Sequence, residues 1–170
     1  MIIFGIDIGL TGALAWIASD GQMGVEDLAT TEVRGENLID CRALATRVRE
    51  IAPADVACLA VIEDVRPRPM GNADKHGNTM HSQGSLMRSR GHVEAVLAIR
   101  GIRLEVVQPQ SWKREFGLLR KKDAPAVDKD AACLKALDLW PHLQGDLARK
   151  RDHNRADALL IARFGQMRFA

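Results

Sequence analysis

The 170-residue sequence predicts an α/β fold in which helices flank a mixed five-stranded sheet whose first three strands are antiparallel. Three observations lead to this prediction. The chain opens with short apolar segments separated by glycine-containing turns, which is the pattern of an antiparallel meander. A continuous apolar run follows, as expected of a buried parallel strand. Segments with apolar residues at helical spacing alternate with the later strands and occupy the end of the chain.

The first third of the chain is predicted to form three strands. Residues 2–8 form an apolar strand, and the turn "GLTG" at 9–12 leads to a second strand, "ALAWI", at 13–17. The sequence "DGQMG" at 20–24 turns the chain towards a third strand near 25–29. Because short turns join neighbouring antiparallel strands, these three strands should pair in sequence order.

Two helices and two strands are predicted in the middle of the chain. Apolar residues recur at helical spacing over 37–52, and Pro53 ends that helix. The run at 56–65 is apolar almost throughout and predicts a central strand. Helical spacing returns over 84–100, and a fifth strand is expected over 102–109.

The remaining segments are predicted to be loops and helices. Residues 66–83 show almost no periodicity and are interpreted as a long loop, which in a compact domain is usually functional or disordered. A short helix is expected over 111–118, followed by the basic linker "RKKDAP" at 120–125. Helical spacing then predicts two further helices, over 127–139 and 153–167.

Composition limits the classes of protein that this sequence can encode. With 46% hydrophobic and 27% charged residues, the chain is typical of a soluble globular protein, and we expect one domain over 1–170. No apolar run approaches the roughly 20 residues of a membrane span, and the opening lacks the basic start and cleavage site of a signal peptide. We therefore expect a cytoplasmic protein without a membrane partner. Three widely spaced cysteines favour buried thiols over a zinc site or disulfides.

Charge is unevenly distributed, although the formal net charge is only +2. Residues 1–64 contain 11 acids and 4 bases, whereas residues 65–170 contain 11 acids and 20 bases. Basic clusters beside candidate acidic sites favour a nucleic acid as partner, with an ordinary solvated surface as the alternative for any one cluster. The candidate nucleic-acid contacts are Arg66, Arg68, Lys75, Arg88, Arg90, Lys113, Arg114, Lys121 and Lys122.

Three acidic positions indicate the chemistry. Asp7 interrupts the apolar first strand, where an ionised carboxylate costs several kcal/mol unless a cation or hydrogen-bond donors meet it. Glu63 lies at the carboxyl end of the central strand, where open α/β sheets place their sites. Asp157 lies on the last helix, and His153 precedes it by four residues on the same face. Each residue has a structural alternative. Asp7 could accept hydrogen bonds from turn amides, and Glu63 could be a surface acid. Asp157 could pair with an arginine, and His153 could be a helix cap or an exposed residue.

Convergence of these groups predicts a metal site. Carboxylates that meet at one point repel each other unless a divalent cation neutralises them. Oxygen ligands suit Mg²⁺ or Mn²⁺, and an imidazole favours Mn²⁺ slightly. Two such ions about 4 Å apart activate a water and stabilise the leaving oxygen of a phosphodiester. The pattern therefore predicts two ions bound by Asp7, Glu63, His153 and Asp157.

Four motifs together resemble the RuvC-like Holliday junction resolvases of the RNase H-like superfamily, of bacterial or phage type. They are "FGIDIGLTGALAW", "AVIEDV", "VVQPQSWKREFGL" and "HNRADALLIA", in order over nearly the whole chain. The resemblance implies an RNase H-like fold with Asp7, Glu63 and Asp157 as metal-binding catalytic acids. A fourth site residue precedes the last acid by about one helical turn. His153 is favoured there because its helical phase matches that of Asp157, with Asn154 and Asp152 as the alternatives.

The resemblance also implies a homodimer that nicks two like strands of a four-way DNA junction. The predicted helix over 84–100 is the candidate dimer surface, and its stripe of Leu86, Val93 and Leu97 has ordinary core as the alternative interpretation. Trp112 is interpreted mainly as core, and Met70 is the apolar candidate for opening the junction. Two alternatives remain open: an RNase H-type nuclease acting on RNA–DNA hybrids, and a junction-binding module without activity.

Overall fold

The computed structural model describes residues 1–67, 79–119, 130–149 and 151–170. Its strands are β1 (Ile2–Asp7), β2 (Ala13–Ala18), β3 (Met23–Asp27), β4 (Thr30–Val33), β5 (Glu36–Ile39), β6 (Cys58–Glu63) and β7 (Arg103–Val107). Its helices are α1 (Cys41–Ile51), α2 (Met80–Ile99), α3 (Pro109–Glu115), α4 (Ala131–Leu139) and α5 (His153–Phe169), with a 3-10 turn at Pro141–Gly145.

The main sheet has five strands in the order β3-β2-β1-β6-β7. The pairs β1–β2 and β2–β3 are antiparallel, whereas β1–β6 and β6–β7 are parallel. This arrangement confirms the predicted mixed sheet with three antiparallel strands first. The two parallel connections carry the chain back over the sheet through helices, as parallel strands require.

A second, two-stranded sheet of β4 and β5 was not predicted. Residues 37–39, which were expected to begin the first helix, belong to β5 instead. The turn of this hairpin contains Arg34 and Gly35 with φ of 54° and 80°, a left-handed conformation that glycine adopts readily. The helix begins at Cys41 because the Asp40 carboxylate accepts hydrogen bonds from the amides of Arg42 and Ala43.

The sheet separates two layers of helices because successive side chains of a strand point to opposite faces. Phe4 and Ile6 of β1 pack in the core beneath α1 and α2, whereas Ile3 packs against α3 and α5. Val93 and Leu97 of α2 have no exposed surface. Together with the partly buried Leu86 they pack into the first of these cores. The stripe proposed as a dimer surface is therefore core, which was its alternative interpretation.

Helix α5 lies unusually close to β1. A Cβ atom on Gly5 would collide with the Ala158 carbonyl oxygen and with the Ala162 backbone. Only glycine permits this approach of the two backbones. The contact places Asp157, the residue before Ala158, beside the carboxyl end of β1. In the parts of the chain that the structure describes, no helix is both long and apolar enough to cross a membrane.

Candidate active site

The pairing of β1 with β6 brings Asp7 and Glu63 to the same edge of the sheet. Ile6 and Ile62 are register partners in this parallel pair, and the two acids follow them directly. Alternation along each strand then directs both carboxylates to the face that α5 covers. The sheet therefore places two acids from distant parts of the sequence side by side at the carboxyl ends of two parallel strands.

Electrostatic effects join Asp157 of α5 to this pair. Burial, and then the charges of Asp157 and Glu63, raise the pKa of Asp7 to about 8, although Lys113 acts to lower it. Burial is also the main reason why the pKa of Asp157 rises to about 6, where Glu63 adds to the shift while Lys113 and His153 oppose it. The structure thus brings the three acids within mutual electrostatic reach, with His153 near Asp157.

His153 and Asp152 have different surroundings, which bears on the identity of the fourth site residue. The Asp152 side chain is 1% exposed and accepts hydrogen bonds from the Arg149 amide at 2.6 Å and from its Nε at 2.8 Å. Its carboxylate therefore points back to the segment before α5. His153 is exposed, and its charge acts on Asp157. Asp152 is thus engaged by Arg149, whereas His153 lies within electrostatic reach of Asp157.

Glu63 is held by two neighbouring side chains of α3. The Trp112 indole N–H donates to Glu63 Oε1 at 3.3 Å, and Lys113 Nζ lies 3.8 Å from the same oxygen. The ammonium group also lies 5.0 Å from the centre of the Trp112 ring. Sequence reasoning assigned Trp112 to the core and Lys113 to a DNA backbone contact, and missed their joint contact with Glu63. No local pattern marks this contact, because it depends on the pairing of β6 with β7.

The turn after Asp7 is fixed by its contact with α5. The Gly12 amide donates to the Gly9 carbonyl at 3.0 Å, and a Cβ on Gly12 would collide with the Asp7 carbonyl oxygen. Asn154 in the first turn of α5 donates through its side-chain amide to the Thr11 carbonyl and hydroxyl oxygens. These hydrogen bonds connect the turn after β1 to the first turn of the helix that carries Asp157.

The side chains of the acidic cluster are of the types that bind divalent ions. Three carboxylates and an imidazole are ligands that Mg²⁺ and Mn²⁺ accept. As the side chains stand, no group of three or more His, Cys, Asp or Glu residues within the described ranges is arranged to hold an ion. Lys113 supplies positive charge beside Glu63 in this arrangement. The donors therefore fit such an ion by their chemistry.

Besides Lys113, three of the predicted nucleic-acid contacts within the described residues form ion pairs. Asp64 accepts from Arg66 at 2.8 Å and from Arg90 at 3.3 Å, and hydrogen bonds from these arginines lower the pKa of Asp64. Arg88 pairs with Glu36 at 2.8 Å. The Arg66 side chain is 75% exposed despite its pairing.

The other predicted contacts are distributed differently. Lys113 lies at the acidic cluster, and Arg114 is exposed on the same short helix. The remaining predicted residues lie outside the described residues: Arg68, Lys75, Lys121 and Lys122, together with Met70.

Comparisons with known proteins bear on the fold. No protein-family model matches the sequence, and no curated protein does. The structure is similar to Thermus thermophilus RuvC in complex with a Holliday junction substrate, with 16% identity, a TM-score of 0.53, and coverage of 98% of this chain and 96% of that chain. A second structure of Thermus thermophilus RuvC matches with 18% identity, a TM-score of 0.48 and the same coverage. The first likeness shows that this chain has the RuvC-like, RNase H-like α/β fold.

Proposed function

We propose that this protein is a structure-selective endonuclease that resolves four-way DNA junctions by symmetric nicking, through divalent-metal-dependent hydrolysis of phosphodiesters. The observation that carries the proposal is that Asp7, Glu63 and Asp157 lie within mutual electrostatic reach at one edge of a RuvC-like sheet. Burial and mutual repulsion make these acids costly to ionise together. A site of this kind is suited to a partner of high positive charge.

The four site residues would share the binding of Mg²⁺ or Mn²⁺. Two ions per site would be held by four side chains, those of Asp7, Glu63, Asp157 and His153. When bound, such ions supply an activated water and stabilise the leaving oxygen of a phosphodiester. The His153 imidazole would either bind the second ion or relay a proton. Lys113 would release Glu63 when the ions enter, and its ammonium group would then be available to a substrate phosphate.

The proposed substrate is branched DNA. The RuvC structure with TM-score 0.53 is a complex with a Holliday junction, which supports a four-way junction as the substrate of this chain. Arg66, three residues after Glu63, and Arg114, next to Lys113, have exposed basic side chains that suit phosphate contacts. Symmetric nicking of two like strands needs two active sites, and we therefore propose that the protein acts as a homodimer.

Cleavage of a synthetic four-way junction tests this proposal. A linear duplex and an RNA–DNA hybrid of matching sequence serve as competing substrates, each with Mg²⁺ or Mn²⁺. Asp7→Asn is the inactive variant, and Asp138→Asn is the matched control because that aspartate is 69% exposed and pairs with Lys135 on α4. The proposal expects paired nicks in opposing strands of the junction for wild type and Asp138→Asn. Asp7→Asn should bind the junction without cutting it.

The same experiment separates the alternative functions. Cutting of the hybrid in preference to the junction would assign the protein to the RNase H-type nucleases. Tight junction binding that persists in EDTA, with no nicks after either metal is added, would leave a binding module without activity. Loss of junction binding in a folded Asp7→Asn variant would contradict the assignment of Asp7 as a metal ligand.

A further inference from the structure

We propose that Trp112 is a positioning residue for Glu63. The indole N–H of Trp112 holds one carboxylate oxygen of Glu63, so that the other oxygen is presented to a metal ion. The inference rests on the proposed function, because it concerns the same metal site. It assigns Trp112 a role beyond the packing that its burial provides.

The contacts at Glu63 are one-sided. Trp112 Nε1 lies 3.3 Å from Oε1, and Lys113 Nζ lies 3.8 Å from this same oxygen. Both donors thus act on Oε1, which leaves Oε2 as the oxygen free of these two contacts. The Lys113 side chain is long and flexible and can move away from Glu63. The buried Trp112 side chain cannot move in this way. When the ammonium departs, the Trp112 contact is the one that keeps the orientation of the carboxylate.

Packing fixes the indole in place. Trp112 has no exposed surface, and its ring lies in the core between the sheet and α5. The same core includes Val61 of β6, Val107 of β7 and Leu160 of α5. Glu63 and Val107 are register partners of β6 and β7, and α3 begins two residues after Val107. The strand pairing itself therefore sets the distance between the indole and the carboxylate.

The residue type also supports a polar role. A phenylalanine would fill most of this site by apolar contact alone, whereas tryptophan brings an N–H that needs an acceptor when it is buried. Glu63 Oε1 is the acceptor that the structure provides. Groups that orient metal ligands in this way commonly change metal affinity when they are removed.

Trp112→Phe tests the inference because it retains an aromatic ring and removes the donor. Trp140→Phe is the matched control, since Trp140 is a partly buried tryptophan packed against the same core. The measurements are Mg²⁺ affinity by calorimetry and the indole ¹H–¹⁵N signals of the full-length protein during Mg²⁺ addition. We expect the Mg²⁺ affinity to fall about tenfold in Trp112→Phe and to stay unchanged in Trp140→Phe. In wild-type protein the Trp112 indole signal should shift as Mg²⁺ is added.

The possible failures are distinguishable. If wild-type protein binds no Mg²⁺, this inference is overturned, and the proposed function is overturned as well if cleavage of the junction also fails with Mn²⁺. If wild type binds Mg²⁺ but folded Trp112→Phe binds it equally well, only the role of Trp112 is overturned. Should Trp112→Phe not fold, the spectra of wild-type protein decide. The Trp112 indole signal is assigned by comparison with Trp16→Phe and Trp140→Phe. If that signal does not shift while Mg²⁺ binds, the inference is overturned.

Discussion

At the scale of single residues, Asp7 shows how the site opposes the stability of the fold. Its pKa is about 8 in the folded protein, against an ordinary value of 3.8. Between these two values the folded protein keeps a proton that the unfolded chain releases. Stability therefore falls as pH rises from about 4 to about 8, since the unfolded state binds fewer protons in this range.

Replacing Asp7 by asparagine should stabilise the metal-free protein. The variant removes the ionisable group, so its gain over wild type should grow between pH 4.5 and pH 8 and reach the order of a few kcal/mol. Urea unfolding in EDTA at these two pH values measures the difference. A gain of equal size at both values, or a loss at pH 8, would show that the Asp7 carboxyl does not titrate as described.

Metal binding should reverse this effect in wild type. Mg²⁺ or Mn²⁺ that binds only the folded state at 100 times its Kd adds about 2.7 kcal/mol to the free energy of unfolding. The melting temperature of wild type at pH 8 should therefore rise with metal concentration, while that of Asp7→Asn should rise much less. Thermal unfolding monitored by circular dichroism checks this, and an equal rise in both proteins would place the ion elsewhere.

At the scale of elements, the start of α5 is held by a cluster of charges. Arg149 contacts both Asp152 at 2.7 Å and Asp27 of β3 at 3.0 Å, and Arg155 also donates to Asp27. Burial acts to raise the pKa of Asp27, but hydrogen bonds and charges from Arg155 and Arg149 lower it overall. These contacts join the edge of the sheet to the turn of α5 that presents His153.

Asp152→Asn should loosen this turn. The change removes the charge from a buried acceptor of Arg149, which we expect to cost about 1–3 kcal/mol of unfolding free energy. Hydrogen exchange should also become faster in the first turn of α5. The control is Asp138→Asn, whose exposed pair with Lys135 should be worth less than about 1 kcal/mol. If both variants lose the same amount, the cluster does not hold the helix.

Two glycine substitutions should have opposite effects. A methyl group on Gly5 collides with the backbone of α5, so Gly5→Ala should cost about 1–3 kcal/mol or more and displace Asp157. A Cβ on Gly84 of α2 meets nothing within 4 Å, and Gly84→Ala should add up to about 1 kcal/mol through helix propensity. Chemical unfolding of both variants measures the two signs, and stabilisation by Gly5→Ala would contradict the close approach of α5 to β1.

At the scale of the whole molecule, the sheet could be predicted because its signals are local. Glycine turns separate the first strands, and an apolar run marks β6. The β4–β5 hairpin could not be predicted in the same way, since Leu38 and Ile39 fit the helical spacing of the segment that follows. The cap at Asp40 decides the boundary, and it is visible only when the helix start is known.

In the candidate site, too, features with a local sequence signal could be predicted, whereas contacts between distant residues could not. Asp7, Glu63 and Asp157 could be proposed from sequence, because a charged residue in or beside an apolar element is unusual at each position. The contact of Trp112 with Glu63 could not, since it joins residues 49 apart through the pairing of β6 with β7. Likewise, the competition between His153 and Asp152 depends on where Arg149 lies, which no local pattern reveals.

The most direct test of the proposed junction resolvase is the product formed from a supercoiled plasmid that extrudes a cruciform, in the presence of Mg²⁺. Paired cuts across the four-way junction linearise the plasmid, whereas a single nick relaxes it and removes the cruciform. We predict linear product with wild-type protein and none with Asp7→Asn. Plasmid that wild-type protein leaves supercoiled, or converts only to nicked circles, would contradict symmetric resolution by this site.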